Sequence, residues 1–361
     1  MRPPRPDAPR GSVTARDGIL LVDKPAGPTS HDVVALTRRL AATRKVGHAG
    51  TLDPMATGLL VLGVGRATRL LTHLVGADKT YEATVRLGQD TLTEDAEGEV
   101  TAARGCPAPD SWPGGRAAFA RSLEDALRAL TGEIMQVPSA VSAIRVDGVR
   151  SYRRVRGGED VALPARSVTI RALTLTGAPA GACADDGTRV VDLPLRVSCS
   201  SGTYVRALAR DLGAALGTGA HLTALRRTRV GPFRVEQARG LDALAAEVTA
   251  DSCRPQPVGL TTLSLSSVAR RCFPAVELDE AESVALGHGQ TLPAGVLDRA
   301  VRAPRPSGDG AEPRADAAGG SGGHGAVTAG FAPGGDVVAL LAREGGRARP
   351  VLVLAPARGP R

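Results

Sequence analysis

The sequence predicts an α+β fold built on a central mixed β-sheet, followed by a small β-rich C-terminal domain. Two patterns carry this. Strand-like apolar runs alternate with helical periodicities along residues 18–250, but without the regular spacing of βαβ units. A composition break near 250–265 then separates this body from a shorter C-terminal segment, itself interrupted by the Gly/Ala/Pro-rich stretch 303–335. With 42% hydrophobic but only 2% aromatic residues in 361, the core must be packed mainly by Leu, Val and Ala.

The elements follow in order. Gly18–Val22 (GILLV) reads as a short buried strand, and Ser30 is placed to cap a helix over 31–42 with Val33, Val34, Leu36 and Leu40 on its apolar face. The Gly-punctuated stretch 47–58 is a loop leading into the apolar run 59–64, and 66–75 reads as a helix. Residues 80–87 alternate as a half-buried strand through Tyr81, Ala83, Val85 and Leu87. A surface loop over 105–115 precedes a helix near 117–131. Strands over 166–176 and 189–199 flank the loop GAPAGACADDG, and Thr203 is placed to cap a helix over 204–216. Leu225–Val230 reads as a further strand. In the C-terminal segment the last strands are Val337–Ala342 and Pro350–Leu354, and 303–335 reads as a disordered insertion.

Charge and composition narrow the chemistry. The net charge of +8 favours a polyanionic partner, nucleic acid or an acidic membrane surface. The five cysteines form no CxxC pair and the six histidines no HxxxH or HxH spacing, so neither a zinc site nor a disulfide scaffold is expected. No apolar stretch approaches the roughly 20 residues needed to cross a bilayer. The Pro- and Arg-rich residues 1–17 read as a disordered basic tail, not a signal peptide. A cytoplasmic setting fits these features.

The segment KVGHAGTLDPMATG (45–58) is the most unusual of the chain. Its glycines leave the backbone open to close approach, and Pro54 biases Asp53 toward an extended conformation. His48, Thr51, Asp53 and Thr57 line its rim; the same residues also suit an ordinary Asp-Pro turn. It lacks both the GKS/GKT ending of a P-loop and the GxGxxG of a dinucleotide site. A second cluster, SSGTYVR (200–206), puts Tyr204 and Arg206 at a strand-to-helix junction, where an Arg opposes the helix dipole unless an acidic group faces it. Tyr81 follows the polar trio Asp78, Lys79 and Thr80. Arg145, Arg150, Arg153, Arg154 and Arg156 surround Tyr152, a pattern of either a nucleic-acid surface or a solvated face, and Arg226, Arg227 and Arg229 carry the same ambiguity.

In this order the motifs resemble the stand-alone bacterial tRNA pseudouridine-55 synthases, whose wider family includes guide-RNA-dependent enzymes. The matching text is GILLVDKPAGPTSHDVV (18–34), RKVGHAGTLDPMATGLLVLGVGRATRL (44–70), KTYEATVRLGQDTLTEDAEGEV (79–100), VPSAVSAIRVDGVRSYRRVRGG (137–158), CSSGTYVRALARDLG (199–213) and AHLTALRRTRVGPF (220–233). The resemblance implies a pseudouridine-synthase fold with an active-site cleft: a catalytic domain over 18–250, a thumb-like insertion near 138–160, and a PUA-like RNA-binding domain over 273–356. It implies isomerisation of uridine to pseudouridine at position 55 in the T-loop of tRNA, by base flipping and an aspartate nucleophile, with no cofactor or metal. Asp53 matches the catalytic carboxylate, Arg206 its cationic partner, and Tyr81 the residue that stacks on the uracil. His48, Tyr204, Leu225 and Lys24 match substrate-binding positions. The expected partner is the tRNA T-arm stem-loop, bound by a monomer with no membrane association. The alternative is a guide-dependent or non-catalytic RNA-binding or tRNA-folding protein on the same scaffold.

Overall fold

The computed structural model describes residues 9–141, 163–301 and 327–355, together with the backbone of a short hairpin at Arg145–Val146 and Val149–Arg150. Most of the thumb-like insertion near 138–160, most of 303–335 and the run around Tyr152 lie outside the described residues.

A mixed sheet forms the body. Its main path runs Arg239–Gly240, Gly18–Lys24, Thr57–Val64, Ala220–Val230, Lys79–Leu87, Arg189–Cys199, Arg166–Leu175 and Gly132–Gln136. The long central strands pair antiparallel, while Thr57–Val64 meets Ala220–Val230 in parallel, so the sheet is mixed as expected. In the Lys79–Leu87 strand the alternation puts Tyr81, Ala83, Val85 and Leu87 into the core shared with helices Gly115–Ala129 and Val205–Ala215. Its other face carries cross-strand charge pairs, Arg86 with Asp192 and Arg196 with Glu82.

In the Thr57–Val64 strand the run 59–64 carries no polar side chain, and both its faces are covered. Leu60 and Leu62 join the helix-side core, whereas Leu59 and Val61, with Ile19 and Leu21, pack with Phe331, Leu340 and Leu352 of a second sheet. That sheet has five strands, ordered Ala275–Glu277, Val327–Phe331, Val337–Glu344, Arg347–Val353 and Leu292–Pro293. Its seat is also polar: Arg66 and Arg69 donate to the carbonyls of Leu354 and Val353.

Several local expectations are corrected. Thr29, not Ser30, caps helix Ser30–Leu40, because Asp32 closes a reciprocal capping box with Thr29. Thr203 does not cap helix Val205–Ala215; its hydroxyl donates to Ser200 O, and Tyr204 is the cap residue, held through its backbone by the Gln136 amide. The stretch over 66–75 is a 3-10 turn (Gly65–Arg69) followed by the short helix Leu71–Leu74. Residues 180–183 form a strand inside the expected loop. Residues 9–17 are not a free tail: Gly11 and Ala15 donate to Arg39 O and Ala41 O, and Ala15 is buried. Within 303–335, Val327–Phe331 is a strand whose Phe331 is fully buried, worth about 2–3 kcal/mol of apolar burial.

Candidate active site

The loop between Val46–His48 and Thr57–Val64 is held by its backbone at nearly every residue. Arg227, fully buried, donates to Gly50 O (3.2 Å), Thr51 O (3.1 Å) and Leu59 O (2.8 Å). Ser30, freed from capping, accepts from Leu52 N (2.8 Å) and donates to Leu52 O (3.1 Å). Ala56 N donates to Asp53 O, and Pro54 O accepts from both Gly27 N and the Lys24 ammonium. The carbonyls of residues 50–54 therefore each have a donor, and the direction of the Asp53 side chain is set by anchors on three separate elements. Gly58 is required here: at φ +98° its missing Cβ would lie 2.3 Å from Arg227 O.

Arg206 faces that carboxylate from the first turn of helix Val205–Ala215. Its Nε and Nη2 reach Asp53 Oδ2 and Oδ1 at 3.0 and 3.3 Å, a two-pronged geometry that Lys could not reproduce. The Arg206 side chain is 6% exposed and the Asp53 side chain 38%, so the pair is buried on one side and open on the other. The remaining Arg206 contacts are Thr93 O (2.8 Å), Ser139 Oγ (3.1 Å) and Val141 O (3.1 Å), and Asp95 Oδ2 lies 3.5 Å from Nε. The opposition to the helix dipole is thus met by two carboxylates.

Other side chains complete the cleft. Tyr81 is buried beside Arg227, its register partner across the sheet; burial pushes its phenol up, against the opposing pull of the Arg227 charge. The phenol therefore stays neutral at physiological pH. Lys24 is fully buried, and its ammonium donates to Pro25 O, Pro28 O and Pro54 O; burial pushes it down to about 8. His48 stands edge-on to His31 (5.6 Å between ring centres), and its buried Nδ1 has no hydrogen-bond partner among the described residues. Burial, then the neighbouring His31 and Arg227, push His48 below its ordinary value. Partial burial and the nearby Asp95 and Asp53 carboxylates push Glu97 up.

Asp53 and Arg206 are thus in direct contact, with Lys24 and Tyr81 around them. Leu225 is buried in the core two register positions from Tyr81, opposite Ala83, and Tyr204 is half-buried at the helix start. Arg226 is committed to Asp23, and Arg229 donates to Thr80 Oγ1. With Arg227 buried, this basic cluster serves the fold. Sequence reasoning missed Asp95, buried within the acidic turn TEDAEGE, and the holding roles of Ser30, Gln136 and Ser139. Among the described residues, no three His, Cys, Asp or Glu side chains gather in a way that could hold a metal ion.

Comparison of the chain with known proteins finds a family match. Residues 38–205 match the N-terminal domain of the TruB family of pseudouridylate synthases, and 206–263 match the tRNA pseudouridylate synthase B C-terminal domain. The chain is 50% identical over 343 residues to the tRNA pseudouridine synthase B of Arthrobacter sp. (strain FB24), covering 94% of this chain and 97% of that one. It is 47% identical over 344 residues to the protein of the same name from Thermobifida fusca, covering 94% and 99%. Among solved structures, a chain of the archaeal box H/ACA sRNP Nop10-Cbf5 complex shares the fold, with a TM-score of 0.61 at 24% identity over 94% of this chain and 86% of that one.

Proposed function

The chain belongs to the TruB family of pseudouridylate synthases, and from that premise we propose that it converts the T-loop uridine at position 55 of tRNA to pseudouridine. It is a tRNA pseudouridine synthase, an isomerase. The observation that carries the site assignment is the Asp53 carboxylate, pinned through its backbone, paired on one side with buried Arg206 and open on the other.

The reaction breaks the N1–C1′ glycosidic bond, turns the base, forms C5–C1′ and moves the C5 proton away, leaving a proton at N1. Substrate and product are isomers. The target uridine leaves its stack at a cost of a few kcal/mol, and the cleft receives it. Asp53 is the nucleophile, at the ribose or at the base. Arg206 holds it aimed through its two-pronged contact, so that little reorganisation is needed as the bond forms. Tyr81, a neutral phenol on a rigid strand, stacks on the uracil, and Tyr204 and Leu225 form apolar walls. His48 fills the space left by the flipped base. Lys24 acts on substrate indirectly, by holding Pro54 next to Asp53.

The tRNA is gripped at its T-arm stem-loop, and the protein works in the cytoplasm as a monomer without guide RNA. No helix among the described residues is long and apolar enough to cross a membrane. The test is to incubate the protein alone with an unmodified tRNA transcript and with a bare T-arm hairpin. Conversion of the same uridine in both is expected. A requirement for a second RNA would favour the guide-dependent reading, and binding without conversion the non-catalytic one.

A further inference from the structure

Helix Val205–Ala215 presents a second arginine one turn beyond Arg206. Both Arg206 and Arg210 bridge the same two segments, the acidic turn 91–98 and the stretch 137–141. Arg206 donates to Thr93 O, Ser139 Oγ and Val141 O; Arg210 donates to Glu94 Oε1 (2.7 Å) and Val137 O (2.8 Å). Arg210 is also braced by Asp211, through Nε at 2.9 Å.

The residue it grips is conformationally strained. Glu94 has φ +61°, a left-handed conformation that non-glycine residues adopt at a cost. The strain has a geometric consequence. Thr93 and Asp95 flank Glu94, and both touch Arg206, Thr93 through its carbonyl and Asp95 through its carboxylate. Glu94 O also accepts from Leu222 N (3.1 Å), which moors the turn to the central sheet. The Glu94 side chain is 14% exposed, and its buried Oε2 has no hydrogen-bond partner among the described residues, where Arg210 is the cation paired with it.

We propose that Glu94 and Arg210 are a positioning pair for the isomerisation: their ion pair holds the strained turn and the 137–141 segment against the helix, and so keeps Arg206 seated on Asp53. This rests on the reading of Asp53 and Arg206 as the catalytic pair. Neither Glu94 nor Arg210 needs to touch the substrate.

Glycine at position 94 separates catalysis from stability, because it removes the carboxylate and the strain together. Glu94→Gly, Arg210→Ala, their double variant and Arg210→Lys would be compared with wild type by three readouts: single-turnover conversion of an unmodified tRNA transcript, affinity for that transcript, and thermal unfolding. Glu94→Gly is expected to lower the single-turnover rate about tenfold, with affinity within about twofold and a Tm equal to or above wild type. Arg210→Ala is expected to lose a similar rate but also Tm, since it leaves the Glu94 carboxylate buried and unpaired. The double variant should be no slower than either single change and more stable than Arg210→Ala; Arg210→Lys should recover part of the rate. Rates within twofold of wild type, losses that multiply in the double variant, or a change in affinity alone would overturn the proposal. Asp53→Asn, run alongside, must be inactive; if it turns over, the assignment of the site itself fails, whatever the pair does.

Discussion

Lys24→Met tests whether the buried ammonium positions the catalytic loop. Methionine keeps the length and apolar stem of the side chain, so the packing loss is small. What disappears is one charge with three acceptors, the carbonyls of Pro25, Pro28 and Pro54 at 2.8, 2.9 and 3.1 Å. Hydrogen bonds from a charged donor contribute roughly 2 kcal/mol each, about 6 kcal/mol for the three. Burial works against these bonds, pushing the ammonium down to about 8, and the three share one donor group, so together they are worth about half that sum. The net loss is about 3 kcal/mol. At about 2.1 cal/mol/K of unfolding entropy per residue, this lowers Tm by about 4 °C in a chain this long. Catalysis should suffer more, because Pro54 adjoins Asp53 and a displacement of under an ångström costs about tenfold or more in rate. Thermal unfolding followed by the fluorescence of Trp112, the single tryptophan, gives the first number, and single-turnover conversion the second. A lowered Tm with an unchanged rate would refute the positioning role, and an unchanged Tm would refute the energetic reasoning.

Other substitutions probe the same scaffold from different sides. Gly58→Ala places a Cβ 2.3 Å from Arg227 O at φ +98°, and should cost about 3 kcal/mol or more in urea unfolding. Deleting residues 327–335 removes a strand with buried Ala329 and Phe331, and should leave a destabilised protein that binds a hydrophobic dye; a native-like melting curve would contradict the packing of the two sheets. The N–H groups of Val258 and, against some opposing burial, Gly259 hold Asp251 below its ordinary 3.8. Below 3.8 the unfolded chain takes up the proton first, so this stabilisation is present above that pH and is lost as pH falls through the folded value. Asp251→Asn should therefore flatten the acid limb of the unfolding curve. Arg206→Lys should cut the single-turnover rate about a hundredfold, a larger effect than its loss of Tm, since Lys keeps the charge but not the fork.

How much of this was legible in the sequence depended on the range of the interaction. The Tyr81–Leu87 alternation is a local signature of a sheet with one buried face, and the structure follows it. The Leu59–Val64 run was readable as apolar, but its covering from both sides involves Phe331, far along the chain in a Gly- and Ala-rich context that masked the strand. Thr29 and Ser30 are adjacent candidate caps; the Thr29–Asp32 spacing of a capping box favours the first, and Ser30 is then spent on Leu52. Asp53 and Arg206 were placed by resemblance, and the structure brings them into contact across 153 positions of sequence. The buried cations were not legible. Lys24 is placed only by resemblance, and Arg227 only within an ambiguous basic cluster, until the fold brings carbonyls 30 and 176 residues away around them. Asp95 was hidden the same way, as one acid among several in a short turn.

The role proposed for Asp53 is that of nucleophile in the isomerisation of a tRNA uridine. Its most direct test is nucleotide-resolved mapping of pseudouridine in an unmodified tRNA transcript after incubation with wild type or Asp53→Asn, with binding measured in parallel. Conversion of the T-loop uridine at position 55 is expected from wild type only, with both proteins binding the RNA comparably. Conversion by Asp53→Asn, or binding by wild type without conversion, would contradict it.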